Sequence, residues 1–121
     1  MIRAVISGTG LYTPPATITN EELVEAFNAF VELHNARHAD DIASGDLEPL
    51  QPSSSAFIEK ASGIKRRHVI DKQGILDPER MCPDIPDRPN DEASVQCELA
   101  LSACEEADSY THQTLPTLHR V

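Results

Sequence analysis

The sequence predicts an α/β protein, α+β over these 121 residues. Three observations carry the prediction: short β-branched runs closed by glycine, helical periodicity behind capping residues, and a last helix striped with small side chains. The first strand is expected at residues 2–7, with Val5 and Ile6 at its centre and Gly8-Thr9-Gly10 ending it. Pro14-Pro15 then imposes an extended connection.

Thr19 opens the first helix. Glu22, three residues on, closes a capping box, and Ile18 and Leu23 stand at the positions of a hydrophobic staple. Leu23, Phe27, Phe30, His34 and His38 then share one helical face. The helix is expected to run to about Ser44, where Gly45 offers a left-handed cap. Residues 47–55 carry Pro49, Pro52 and a serine run, and read as loop. Ser54 or Ser55 caps a two-turn helix that breaks at Gly63. A strand follows over residues 64–70, with Ile64, Arg66, His68 and Ile70 on one side and Lys65, Arg67 and Val69 on the other. Residues 71–90, rich in proline and aspartate, read as an extended loop or arm; so long an irregular stretch is functional or braced by something else. Asn90 is expected to cap the last helix, with Asp91 and Glu92 at its positive end. Ala93, Cys97, Ala100, Cys104 and Ala107 form a narrow small-residue stripe along it, suited to close approach of another backbone. From residue 108 the periodicity ends.

The bulk numbers set limits. The length is that of one ordinary domain, able to bury about two-thirds of its unfolded surface. Three Phe, two Tyr and no Trp make the supply of large core side chains thin. A net charge of −10 argues against nucleic acid or an anionic membrane as the main partner. The three cysteines (Cys82, Cys97, Cys104) are odd in number and lack C-x-x-C spacing, which fits free thiols in a reducing compartment. No apolar run approaches the ~20 residues of a membrane span. Met1-Ile2-Arg3 leads directly into a strand, not into a secretory leader. A cytoplasmic protein is expected.

Few constellations suggest chemistry on residue types alone. Gly8-Thr9-Gly10 would need a third glycine at position 13 to cradle a dinucleotide, and Thr13 stands there. A strand-ending turn is the better reading. His34 and His38, with Asp41 near, have metal-ligand spacing, but Asn35 occupies the place of the glutamate in a zinc-protease motif. Both rings fall on the apolar stripe, so packing histidines are expected and no metal. Cys97 and Cys104 sit mid-helix among alanines and acids, which favours buried neutral thiols over nucleophiles. Lys65, Arg66, Arg67 and His68 form the one dense basic cluster; a solvated strand face competes there with contact to phosphate or an acidic partner.

Two stretches carry a resemblance: I-S-G-T-G-L-Y-T-P-P at residues 6–15 and F-I-E-K-A-S-G-I-K-R-R-H-V-I at residues 57–70. They resemble the amino-terminal region of the β-ketoacyl-acyl-carrier-protein synthase III family, within the thiolase-like condensing enzymes, over roughly residues 1–107. Residues 108–121 do not resemble the family and look like translated sequencing-adapter read-through, a non-family tail.

The resemblance implies a parent acyltransferase of fatty acid biosynthesis. That enzyme condenses an acyl thioester with malonyl carrier protein and loses carbon dioxide. It also implies the amino-terminal portion of a layered αβαβα thiolase-like fold, left incomplete here. A homodimer is expected for the full-length parent, with acyl carrier protein and acyl-coenzyme A as partners. Coenzyme A enters as thioester substrate and no separate cofactor is expected. The catalytic Cys, His and Asn of the family fall beyond this stretch, so these 121 residues alone are expected to be inactive. Phe57 stands where the family often has a tryptophan that stacks on the coenzyme A adenine. Ala61 stands where an arginine often flanks that adenine, a departure that points to an altered acyl-donor preference. Phe57 anchoring its helix in a core is the other reading. Arg67 and His68 match the end of the family's G-I-x-x-R-H pattern and complete the candidate coenzyme A contacts. Two alternatives stay open. One is another thiolase-fold acyltransferase, hydroxymethylglutaryl-coenzyme A synthase-like or a polyketide starter enzyme. The other is a non-enzymatic acidic module that docks a partner through its basic strand.

Overall fold

The computed structural model describes residues 2–118, with side chains to residue 109. The described chain is α+β, with one two-stranded sheet and five helices. It divides into two units, Pro14–Pro86 and the pair Met1–Thr13 with Asp87–Val121.

Within Pro14–Pro86, strand β1 spans Ala16–Thr19 and strand β2 spans Arg66–Val69. They pair antiparallel, with Ala16 opposite Val69 and Ile18 opposite Arg67. Because strand side chains alternate, Ala16, Ile18, Arg67 and Val69 share the inner face, while Arg66 and His68 point out. Ile18 is the most deeply buried apolar side chain, at 1% exposure, and Ala26 and Val31 join it as buried residues.

Helix α1 spans Asn20–Arg37 and begins as its sequence dictates. The Glu22 N–H donates to Thr19 Oγ1 at 3.2 Å, and the Thr19 N–H donates to Glu22 Oε2 at 3.0 Å. Two of the helix's orphan donors are thereby satisfied. The helix stops earlier than expected, at Arg37, and a separate α2 spans Ala39–Ser44. The interruption is His38, at φ −111° and ψ 24°. Its backbone N–H and its ring Nδ1 both reach the His34 carbonyl, at 3.1 and 2.8 Å. Gly45 closes α2 at φ 85°.

Helix α3 spans Ser55–Ser62, capped by the Ser54 hydroxyl and ended by Gly63 at φ 72°. A left-handed residue costs glycine little, and here it turns the chain directly into β2. Helix α4, Lys72–Leu76, was not expected: it is a five-residue turn inside the stretch read as loop. The stretch is braced. Asp71 Oδ2 accepts the Asp84 N–H at 2.5 Å, Lys72 pairs with Glu22 at 2.9 Å, and Glu79 pairs with Arg37 at 2.5 Å. Gly74 is buried in this clamp, where a Cβ would lie 2.6 Å from the Cys82 carbonyl oxygen.

In the other unit the expected strand over residues 2–7 does not form. β1 and β2 pair only with each other, and Ile2, Val5 and Ile6 are exposed. A β-branched run has strand composition but becomes a strand only against a partner. Helix α5 spans Val95–Leu118. Ser94, not Asn90, caps it: the Cys97 N–H donates to Ser94 Oγ at 3.1 Å, while the Glu92 N–H to Pro89 carbonyl bond places Asn90 in a preceding turn. The covered side of α5 also lies one step round from the expected stripe. Val95, Leu99 and Ala103 are half-buried and Ala107 alone of the expected stripe joins them, whereas Cys97 and Cys104, expected buried, are exposed free thiols. Gly10 explains the side chosen, since any Cβ there would overlap the Ala103 carbonyl oxygen. The stretch from residue 108, expected to lack periodicity, continues α5 to Leu118; the rest of that tail, residues 119–121, lies outside the described residues. Among the described residues no helix is long and apolar enough to cross a membrane.

The capping box gives a direct test. Thr19→Ala should lower the unfolding free energy by about 1 kcal/mol, read as a lower urea midpoint at unchanged slope. An unchanged midpoint would remove the box from the account of how α1 starts.

Candidate functional site

The elements around β1 and β2 position the residues the sequence singles out. Asn20, the first residue of α1, is 2% exposed and joins the helix to the second strand. Its side-chain amide donates to the Ile64 carbonyl at 2.6 Å, and its backbone N–H donates to the Lys65 carbonyl at 3.1 Å. Its Oδ1 accepts from Arg67 Nη1 at 3.2 Å. Each polar group of a buried amide needs such a partner. Arg67 is therefore half-buried beside Ile18 and held from within. His68 faces the other way and is exposed; its Nδ1 donates to the Pro14 carbonyl at 3.0 Å. Arg66 shares that outer face, and Lys65 makes only a loose 3.6 Å pair with Glu59. The basic cluster is thus split, with one cation turned inward and its neighbours outward.

Phe57 lies in the first turn of α3, 65% exposed, with its N–H donating to Ser54 Oγ at 3.2 Å. At that exposure it does not anchor a core. It borders an open cavity of about 530 Å³ with Phe27, Gln51, Pro52, Ser53 and Ser54. Arg67 and His68 do not line this cavity, so the three candidate residues occupy separate places within the unit.

The loop forming the cavity wall is fixed by Asn28 and Asn35, in a role that the sequence alone did not disclose. Asn28 Oδ1 accepts the Ser53 N–H at 2.8 Å, and its Nδ2 donates to the Ser53 carbonyl at 3.2 Å. Asn35 does the same for Leu50, at 2.9 and 3.0 Å. The two lie seven apart on α1, two helical turns, which is the available signal: polar amides recurring on a face beside the apolar stripe.

The expected ring stripe forms along α1 and onto its C-cap residue His38. Phe27, Phe30, His34 and His38 follow one another, with centroids 6.2, 5.9 and 4.4 Å apart. His34 Nδ1 is buried without a hydrogen-bond partner among the described residues.

Two carboxyls are held below their ordinary values. For Glu22 the chief cause is the Thr19 N–H, followed by the Lys72 ammonium; for Asp71 it is the Asp84 N–H. Arg88 is shifted upward by its pairing with Glu98, at 2.6 Å.

Over 84 residues, 69% of this chain, the sequence is 60% identical to the beta-ketodecanoyl-[acyl-carrier-protein] synthase of Pseudomonas aeruginosa. The match spans 24% of that protein, so the chain covers about a quarter of its relative's length. No family model matches the chain. The resemblance to β-ketoacyl-acyl-carrier-protein synthases read from the sequence therefore holds over the matched segment.

The lowered carboxyls fix a pH dependence. Both bind protons less readily folded than unfolded, so their stabilisation is complete above the ordinary values of 4.5 and 3.8. It is lost as pH falls through the lower folded values. Urea midpoints should fall as pH is taken below about 4.5, and Glu22→Gln should flatten part of that slope. An equal slope in the variant would show that Glu22 is not a contributor.

Proposed function

We propose that residues 1–107 are the amino-terminal portion of a β-ketoacyl-acyl-carrier-protein synthase III-type condensing enzyme with a thiolase-like fold. The observation that carries this reading is the 60% identity over 84 residues to a beta-ketodecanoyl-[acyl-carrier-protein] synthase. The whole enzyme transfers an acyl group from a thioester and joins it to malonyl carrier protein with loss of carbon dioxide. Its acyl carrier protein and acyl-coenzyme A are the partners, its working form is a homodimer, and its place is the cytoplasm. Residues 108–121 form a tail foreign to the family.

The exposed apolar residues support the reading. Ile2, Val5 and Ile6 are 100%, 82% and 87% exposed, and Leu11 is 72% exposed. A cluster of that size in one short segment marks a surface made to be covered.

The site residues take the roles that the family resemblance implies for them. Phe57, exposed and held by the Ser54 cap, stacks on the nucleotide end of coenzyme A. His68, on the outer face of β2, meets phosphate. Arg67 sets the strand through Asn20 and lends its charge from the inner face. The nucleophile and the oxyanion donors lie outside these residues, so acyl transfer requires the remainder of the enzyme.

The test is a graft. The matched segment replaces its counterpart in the Pseudomonas aeruginosa synthase, and condensation is followed by carbon dioxide release. The chimera should be active and the 121-residue chain inactive. Phe57→Ala in the chimera should raise the KM for acyl-coenzyme A about tenfold with a smaller change in kcat. Turnover by the chain alone, or a folded but inert chimera, would overturn the proposal.

A further inference from the structure

Phe57 is 65% exposed, so neighbouring side chains hold its ring only weakly and its place is set by the backbone that carries it. That backbone is anchored in two steps. The Phe57 N–H donates to Ser54 Oγ and the Ile58 N–H to the Ser54 carbonyl, each at 3.2 Å, so Ser54 fixes the start of α3. The residue before it, Ser53, gives both of its backbone groups to one side chain of α1. Its N–H donates to Asn28 Oδ1 at 2.8 Å, and its carbonyl accepts from Asn28 Nδ2 at 3.2 Å. A carboxamide is the side chain that offers a fixed donor and acceptor side by side. Asn35 holds Leu50 in the same way, so the Gln51–Pro52 segment bordering the cavity is clipped at both ends. Phe27, next to Asn28 in the chain, borders that cavity too. One turn of α1 therefore lines the cavity directly and fixes the start of α3 through Asn28.

We infer that Asn28 is a positioning residue for coenzyme A, acting through Ser53 and Ser54 to hold the Phe57 ring where the adenine meets it. The inference rests on the reading of Phe57 as the stacking ring and adds to it a residue that touches no substrate. A ring held in place before the ligand arrives avoids an ordering cost on binding. Without the Asn28 amide the Ser53 backbone turns to water, and Phe57 samples positions from which it does not stack. The loss has a bound. Asn28 can remove no more binding than the Phe57 ring supplies, and it removes nothing where that ring is absent. An asparagine that merely stabilised the fold would have no such bound, because its loss would act whatever stood at position 57.

The test is a double-mutant cycle in the chimera, with KM and kcat for acyl-coenzyme A read separately. Asn28→Ala should raise KM about threefold with kcat nearly unchanged, a smaller effect than that of Phe57→Ala. In the Phe57→Ala background it should add nothing. Asn28→Asp keeps the acceptor for the Ser53 N–H and loses the donor, so its KM should fall between wild type and Asn28→Ala. It also carries the cycle should Asn28→Ala fail to fold. An unchanged KM, a fall in kcat alone, or equal rises in KM in both backgrounds would overturn the inference and leave Phe57 its role. An unchanged KM in Phe57→Ala would instead overturn that role and this inference together. A folded but inert chimera would overturn the family reading and, with it, the part given to Asn28.

Discussion

Asn20 is the constraint on which the Pro14–Pro86 unit depends. One buried amide ties the start of α1 to the turn leaving α3, at Ile64, and to β2, at Arg67. Its own backbone N–H, unusable inside the helix at that position, goes to Lys65. Leaving the Ile64 carbonyl and the Arg67 guanidinium without that partner would cost about 1–3 kcal/mol, a large share of a small domain's stability. Register follows from it as well. With Arg67 drawn inward to Asn20, His68 and Arg66 must face out, because a one-residue slip would reverse every side chain of the strand.

The same helix organises the rest of the unit through its other faces. Ala26 and Val31 supply its buried positions, Asn28 and Asn35 hold the 50–53 loop, and Glu22 and Arg37 receive the two ion pairs from the 71–86 stretch. Those pairs are substantially exposed, so each contributes little alone. Their effect is positional: they tie the 71–86 stretch, itself closed by the Asp71–Asp84 bond, to α1.

Local signals were legible in the sequence. The Thr19–Glu22 box, the Ser54 cap and the glycines at 45 and 63 each act within a few residues, and each stands where the sequence put it. Features that depend on distant chain were not. β1 follows a proline pair and becomes a strand only because Arg66–Val69 returns to it. Asn20 reads as an ordinary helix-start residue until Ile64, 44 positions on, closes over it. The run at residues 2–7 shows the opposite error, strand composition with no pairing. The candidate site divides the same way. Phe57, Arg67 and His68 were singled out by a family pattern, whereas the split of the basic cluster and the asparagine-held wall of the Phe57 cavity arise from residues brought together only by folding.

Amide hydrogen exchange on the chain and on Asn20→Ala tests the central claim most directly. Exchange reports local opening, so it separates loss of one bond from loss of a unit. The account predicts that β2 amides and the amides of α3 lose protection together in the variant, while α5 keeps its own. Protection retained across Arg66–Val69 without the Asn20 side chain would contradict it.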